Sequence, residues 1–223
     1  MKDDHADDVF EKLNRGIALR ESGDAQAATK LFLEVGDAGL AAGYYELAEH
    51  AFYDQGRRDE VEHWTQRMET LATLNNDDVA HMCCYLVYEF RMGTGNSEQQ
   101  EARAKYHLER AAELGNSTGQ ALLAGRYRLG SAGFPQDAGL YEYWAWKAID
   151  QGNVDALCSY IERLIKDGHV VSPELRSKLA IAAEPPQPEQ LIKDGHVGPL
   201  ELRRQLAVAT ESAQRAADLL SQI

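Results

Sequence analysis

Cysteine is scarce in this chain, and its placement argues against a disulfide framework. The 223 residues include three cysteines, Cys83, Cys84 and Cys158. The number is odd and two of the three are adjacent, so the sequence indicates no set of paired bridges. Disulfide-stabilised domains are typical of oxidising compartments, and this pattern favours a reducing one.

Long apolar runs are also missing. No stretch approaches the roughly 18 apolar residues of a transmembrane helix, so we expect no membrane span. The amino-terminal residues MKDDHADD are acidic and lack the apolar segment of a secretory signal. We therefore expect a cytoplasmic protein, or a periplasmic one if a signal peptide has been removed.

Basic residues are few beside acidic ones. The chain has 23 Lys and Arg against 36 Asp and Glu, a net charge of −13. Such a chain repels phosphate backbones, which argues against nucleic acid as a partner. We expect instead another protein or peptide, with a basic patch as its complement. The alternative is that the acidity serves only solubility.

Catalytic and metal-binding patterns are weak. Residues 115–119 match G-x-S-x-G, which would make Ser117 the nucleophile of a hydrolase. That motif needs a strand before the serine, whereas an alanine-rich helix precedes Ser117, so a turn residue is favoured. The seven histidines include no H-x-x-x-H pair, and there is no C-x-x-C or phosphate-loop pattern. We therefore expect no enzyme activity, no metal and no cofactor.

The chain does contain an internal repeat. Residues 109–130 end one helix, turn at Gly115-Asn116 and begin another, and the layout returns 37 residues later at Gly152-Asn153. This period, with helix–turn–helix content, is typical of a helical solenoid. We predict an all-α fold, a right-handed α–α superhelix over residues 1–183. Its five helix pairs are expected at 7–38, 40–75, 77–115, 116–152 and 153–183.

The fourth pair carries the most specific pattern. Its pattern of large apolar, small, aromatic, charged and turn residues falls at Leu123, Ala124, Tyr127, Gly130, Asp137, Trp144, Lys147, Ala148, Gly152 and Asn153. This pattern resembles the Sel-like repeat family, a branch of the tetratricopeptide-like solenoids. The resemblance is strongest over residues 77–168 and weaker over 7–76. It implies stacked helix pairs that serve as protein-interaction modules.

Residues 184–223 hold a duplicated segment and a last helix. The sequence at 164–182 returns in modified form at 191–209, an offset of 27 residues. The helix expected from about Pro199 has apolar or small residues at alternating spacings of 4 and 3: Leu202, Leu206, Ala209, Ala213, Ala216, Leu220 and Ile223. Such a seam is typical of helices that pack lengthwise. We favour a helix that caps the last pair, and a homodimer through this helix is the alternative.

The resemblance also places a binding surface. In tetratricopeptide-like stacks the first helix of each pair lines the concave face, and the pattern gives the positions that project there. These positions put Tyr88, Arg91 and Arg128 together as a basic and aromatic patch. Arginine and tyrosine are frequent in binding hot spots. The alternative is that the residues are solvated surface charges. The full predicted set is Arg20, Glu46, Glu49, Tyr88, Arg91, Arg128 and Glu162.

The sequence thus predicts a non-catalytic protein-interaction module, an adaptor or assembly scaffold that binds a partner on its concave face. The first alternative is a bacterial immunity protein, which would neutralise a secreted toxin by covering its active site. A hydrolase that uses Ser117 is the least favoured alternative.

Overall fold

The computed structural model describes the backbone of residues 3–53, 57–91, 97–184 and 199–223, and their side chains except those of 3–7, 97 and 199–209. Within these ranges the chain forms eleven helices and no strand, as predicted. They are α1 (Asp3–Glu21), α2 (Ala25–Asp37), α3 (Ala41–Tyr53), α4 (Arg58–Asn75), α5 (Asp78–Arg91), α6 (Ser97–Glu113), α7 (Ser117–Leu129), α8 (Ala138–Asp150), α9 (Val154–Lys166), α10 (Pro173–Ala182) and α11 (Pro199–Leu220).

Successive helices pack as the repeat predicts. Each odd-numbered helix from α1 to α9 packs on the helix that follows it, and each pair packs on the next. The result is an all-α superhelix of five stacked pairs. We name the helices α1, α3, α5, α7 and α9 the first-helix row, because each is the first of its pair.

The repeated Gly-Asn turn explains how two of the pairs begin. Gly115 and Gly152 have positive φ angles of 105° and 81°, which glycine adopts without strain. The Asn116 side chain then accepts a hydrogen bond from the backbone N–H of Gly119 at 2.8 Å, and Asn153 caps α9 in the same way. Each asparagine satisfies a donor that the first turn of the helix leaves unpaired. The two turns are therefore both structural, as their spacing suggests.

Glycine also sets how closely the first pairs approach. A Cβ on Gly43 of α3 would collide with the backbone carbonyl of Phe32 in α2. A Cβ on Gly36 would collide with the Tyr44 ring, and one on Gly16 would lie 2.7 Å from the Phe32 ring. The helices can pack at this distance only because no side chain intervenes.

The core is a series of three apolar clusters rather than one centre. The first lies among α1 to α5 around Phe32, the second around Leu108, and the third around Ile161 near the carboxyl-terminal end. The Trp144 side chain is half-buried and contacts both the second and the third cluster. Each cluster depends on neighbouring helices alone, as expected of a repeat stack.

The last helix caps the stack. Helix α11, described from Pro199 onward, packs on α9 and α10 and makes a smaller contact with α1. Ala213, Ala216 and Leu219 are buried there, and Leu220 and Ile223 pack against the same cluster. The carboxyl-terminal half of the predicted seam is therefore used within the chain, in agreement with the capping interpretation. The side chains of Leu202, Leu206 and Ala209, and all of residues 185–198, lie outside the described residues.

Candidate functional site

The seven residues predicted for the concave face do not form one patch. The structure separates them into four places along the stack. One cluster joins α1 to α3, two residues turn towards α4, one stands beside an open cleft, and one is covered by α11. In chain order these are Arg20 with Glu46 and Glu49, Tyr88 with Arg91, Arg128, and Glu162.

The first cluster ties α1 to α3. Arg20 forms ion pairs with Glu46 and with Glu49, the latter at 3.2 Å. The Arg20 Cζ atom lies 5.7 Å from the centroid of the Phe32 ring. Tyr45 also donates a hydrogen bond to Glu49, at 3.1 Å. Because the cation and both carboxylates have partners within the chain, the cluster stabilises the α1–α3 contact without a ligand.

Tyr88 does not lie on an exposed surface, which corrects the predicted patch. Its side chain is 3% exposed, and its hydroxyl donates to Glu69 of α4 at 2.8 Å. Arg103 of α6 donates to the same carboxylate at 2.6 Å. Burial alone would raise the pKa of Glu69, but hydrogen bonds from His107, Tyr88 and Arg103 lower it to about 2. Tyr88 therefore belongs to a polar network between α4, α5 and α6.

Arg91 also turns towards α4 and not towards α7. Its guanidinium donates to Glu62 at 2.7 Å, and its Cζ atom lies 5.7 Å from the centroid of the Tyr88 ring. Tyr88 and Arg91 thus meet, as predicted, but they do not meet Arg128. The physical reason is the rotation of α5 about its axis, which presents a different set of side chains to α7.

The side chains that join α5 to α7 are not among the predicted residues. Arg126 of α7 donates to the hydroxyl of Tyr85 at 2.7 Å and to the carboxylate of Glu89. Glu89 and Arg126 are 37 residues apart, which is the period of the repeat. Opposite charges at matching positions of successive repeats are therefore the signal that would have identified this pair.

Glu162 is engaged by the capping helix. Arg215 of α11 donates from Nε and from Nη2 to the two carboxylate oxygens of Glu162, both at 2.9 Å. Nη1 of Arg215 also lies 3.6 Å from Oδ1 of Asp155. A bidentate arginine–carboxylate pair is directional, so it sets the orientation of α11 against α9.

Arg128 is the predicted residue that stays open. Its side chain is exposed and makes no ion pair within the described part of the chain. It stands beside a cleft of about 240 Å³ between α7 and α9. We name this the α7–α9 cleft. Its lining residues are Thr118, Ala121, Leu122, Ala124, Gly125 and Arg128 of α7, Tyr141 and Ala145 of α8, and Asn153, Asp155, Ala156 and Ser159 before or within α9.

The cleft is open because small residues line the junction of α7 and α9. Ala124, Ala145 and Ala156 are buried along it, and a Cβ on Gly125 would meet no atom within 4 Å. By contrast, α3 and α5 pack directly on each other. Direct packing is equally sparse between α1 and α3 and between α5 and α7, but ion pairs join those helices, whereas the α7–α9 junction holds the cleft.

Tyr141 contributes to the inner side of the cleft. Its side chain is buried, and its hydroxyl makes no hydrogen bond of normal geometry in the described part of the chain, although Arg163 lies close enough to interact with it. The Arg163 Cζ atom lies 4.6 Å from the centroid of the Tyr141 ring. Burial raises the pKa of Tyr141, and the nearby Arg163 and Arg128 partly oppose that change. A buried hydroxyl without a well-formed hydrogen bond is a local cost to stability.

A pair of buried histidines lies between α5 and α6. The Nδ1 atoms of His81 and His107 are 2.9 Å apart, and His107 Nε2 is 3.4 Å from Glu69 Oε1. One Nδ1 atom of the pair donates and the other accepts, as the tautomers of the two rings determine. Burial, His107 and Arg110 lower the pKa of His81 to about 4. His81 is therefore neutral at pH 7.

The surroundings of Ser117 do not match a nucleophile elbow. Ser117 is the first residue of α7 and follows the Asn116 cap, which itself follows helix α6. Among the described side chains, no group of three or more His, Cys, Asp or Glu is arranged to hold a metal ion. None of the described helices is long and apolar enough to cross a bilayer.

Comparison with known proteins supports the fold. No protein-family model and no curated protein matches the sequence. Among solved structures, the chain is similar to a Sel1 repeat protein from Oxalobacter formigenes, with a TM-score of 0.52 and 23% sequence identity. The match covers 75% of this chain and 48% of that protein, so the chain spans about half of its length. At this identity the likeness concerns the fold. The resemblance predicted from the sequence is confirmed at that level: the chain has the Sel1-like repeat fold.

Proposed function

We propose that this chain is a non-catalytic protein-interaction module, an adaptor or assembly scaffold that binds a partner protein or peptide along its first-helix row. The observation that carries the proposal is the α7–α9 cleft. This cleft is open and mostly apolar. Elsewhere along the first-helix row, most of the described charged side chains already have ion-pair partners within the chain. Exposed apolar clefts with a polar rim are typical of sites where another molecule binds.

A photo-crosslinking experiment with two matched positions tests the surface. Leu122 lines the α7–α9 cleft and is 36% exposed, whereas Leu74 lies near the end of α4 and is 76% exposed. We would replace each in turn with the photoreactive residue p-benzoylphenylalanine in the full chain. A partner that uses the cleft should crosslink from position 122 and not from position 74. Equal crosslinking from both positions, or crosslinking from position 74 alone, would contradict the proposal.

The immunity role stays an alternative with one feature in its favour. The net charge of −13 suits a basic partner, and a toxin with a basic active-site region would be one. The two roles differ in what binding does to the partner. If the crosslinked partner is an enzyme, its activity should fall in proportion to bound chain for an immunity protein. For an adaptor, the activity should stay unchanged.

A further inference from the structure

We propose that the α7–α9 cleft recognises a peptide segment in which a large apolar side chain, phenylalanine being the best fit, lies beside a carboxylate. The proposal rests on the proposed function, because it names the chemistry of the partner segment. It assigns the cleft to the apolar side chain and Arg128 to the carboxylate.

The volume of the cleft limits what it can hold. Sites for small molecules and cofactors usually occupy about 300–1,000 Å³. At about 240 Å³ the α7–α9 cleft is smaller, and it is open on one side. It therefore suits one large side chain whose main chain stays outside, rather than a whole cofactor. Aromatic side chains gain the most from burial at such a site because they bring large, rigid apolar area.

The walls favour a flat apolar group. Ala121, Ala124, Ala145 and Ala156 present only methyl groups, and Gly125 presents bare backbone. A ring can lie against this surface without displacing a side chain, because a Cβ on Gly125 already meets no atom within 4 Å. These five residues offer an inserted side chain no side-chain hydrogen-bond partner, which favours an apolar group against them.

The charges beside the cleft select a carboxylate. Two of its lining side chains are charged at neutral pH, Arg128 on α7 and Asp155 on α9. Asp155 already lies 3.6 Å from Arg215. Arg128 makes no ion pair within the described residues, so its guanidinium is available for a carboxylate beside the bound apolar side chain.

Methyl NMR on the full chain, labelled at alanine methyl groups, can detect binding directly. The four alanines of the cleft report on it, and Ala72, buried in α4, serves as a distant control. The first probe is N-acetylphenylalanine, which carries a ring and a carboxylate. N-acetylphenylalaninamide lacks the carboxylate, and N-acetylalanine lacks the ring. We expect saturable shifts at the cleft alanines with a Kd on the order of 1 mM for the first probe, usual for so small a ligand. The amide should bind at least about tenfold more weakly, and N-acetylalanine should not bind.

A second carboxylate probe separates two sources of the same chemistry. Acetyl-Phe-Asp-amide carries its charge on a side chain, whereas N-acetylphenylalanine carries it at a chain terminus. If acetyl-Phe-Asp-amide binds more tightly, the partner segment carries an internal acidic residue. If N-acetylphenylalanine binds more tightly, the partner segment ends in a carboxyl terminus. Either preference over the uncharged amide supports the proposal.

Three variants assign the binding to named residues. Gly125→Leu fills the cleft and should abolish binding, whereas Gly125→Ala leaves most of the space and should retain it. Arg128→Gln should reduce the affinity for the two carboxylate probes to that for the uncharged amide, and leave the amide unaffected. Melting curves and the unperturbed methyl signal of Ala72 show that each variant is folded. The proposal is overturned if no probe shifts the cleft alanines, if Gly125→Leu binds as well as wild type, or if Arg128→Gln weakens all probes equally.

The probe experiment and the crosslinking experiment can fail separately. If position 122 crosslinks to a partner but no probe binds, the partner uses the surface without this chemistry, and the further inference alone fails. If the probes bind as expected but the partner crosslinks only from position 74, the proposed surface for protein binding fails while the cleft chemistry stands.

Discussion

Lowering the pH from 7 to 5 should destabilise the protein through His81. The ordinary pKa of histidine is 6.5, and the surroundings of His81 lower it to about 4 in the folded chain. Burial is the main cause, followed by His107 and Arg110, while Asp77 and Asp78 partly oppose the change. Between these two pKa values the unfolded chain binds a proton that the folded chain does not. The free energy of unfolding must therefore fall as the pH decreases through this range.

The size of the effect follows from the two pKa values. At pH 5 an unfolded histidine is mostly protonated, while His81 in the folded chain is mostly neutral. The difference in bound protons between the unfolded and the folded chain, integrated from pH 7 to 5, is about 1.4 pH units. At 1.36 kcal/mol per unit, it lowers the free energy of unfolding by about 2 kcal/mol. Glu69, whose pKa is lowered to about 2, loses its contribution only below its ordinary value of 4.5. Glu69 therefore contributes little to the change in stability between pH 7 and 5.

Urea unfolding at pH 7, 6 and 5, at constant ionic strength, measures this effect. His81→Gln is the matched variant, because glutamine can donate a hydrogen bond to His107 but does not titrate. Wild type should lose about 2 kcal/mol more than His81→Gln over this range. An NMR titration of the His81 ring should give a pKa near 4. Equal pH dependence in the two proteins, or a His81 pKa near 6.5, would refute the reasoning.

Four further predictions concern packing. Gly43→Ala should destabilise the protein by about 2–3 kcal/mol in urea unfolding, because its Cβ would collide with backbone. Gly125→Ala, also inside a helix but beside open space, should instead stabilise it by up to about 1 kcal/mol in the same assay. Tyr141→Phe removes a buried hydroxyl that makes no hydrogen bond of normal geometry and should raise the free energy of unfolding by about 1 kcal/mol; a loss of similar size would show that Arg163 bonds the hydroxyl. Ala216→Asp places a charge in the fully buried contact of α11 and should cost about 3 kcal/mol or more. That loss should not depend on protein concentration, whereas a dimer seam would make it do so.

The fold could be predicted because its signals are local. The Gly115-Asn116 turn and its copy at Gly152-Asn153 use residue types that few other conformations favour, a left-handed glycine and an asparagine cap. These signals fix where helices begin and end, and the period between them fixes the stacking. The five pairs follow from such local rules.

The candidate site could be predicted only in part, because it depends on how far each helix rotates about its axis. One step along a helix turns a side chain by about 100°. A pattern that fixes which helix lines a surface therefore does not fix which residues face it. In α5 the predicted Tyr88 and Arg91 turn to α4, while Tyr85 and Glu89 meet Arg126 of α7. Packing of large against small side chains sets that rotation, and it involves residues distant in sequence.

The position of the α7–α9 cleft in the stack explains how the cleft can stay open. Ion pairs hold α1 to α3, α5 to α7 and α9 to α11, and direct packing holds α3 to α5. In the described chain the α7–α9 junction instead contains a cleft, although α8 still joins both helices. In a repeat stack each interface contributes separately to stability, so an unfilled junction weakens only its neighbours. The chain can therefore leave this one surface open to a partner while the rest of the stack remains folded. A side chain that fills the cleft, whether from a ligand or from Gly125→Leu, should stabilise that junction without disturbing the others.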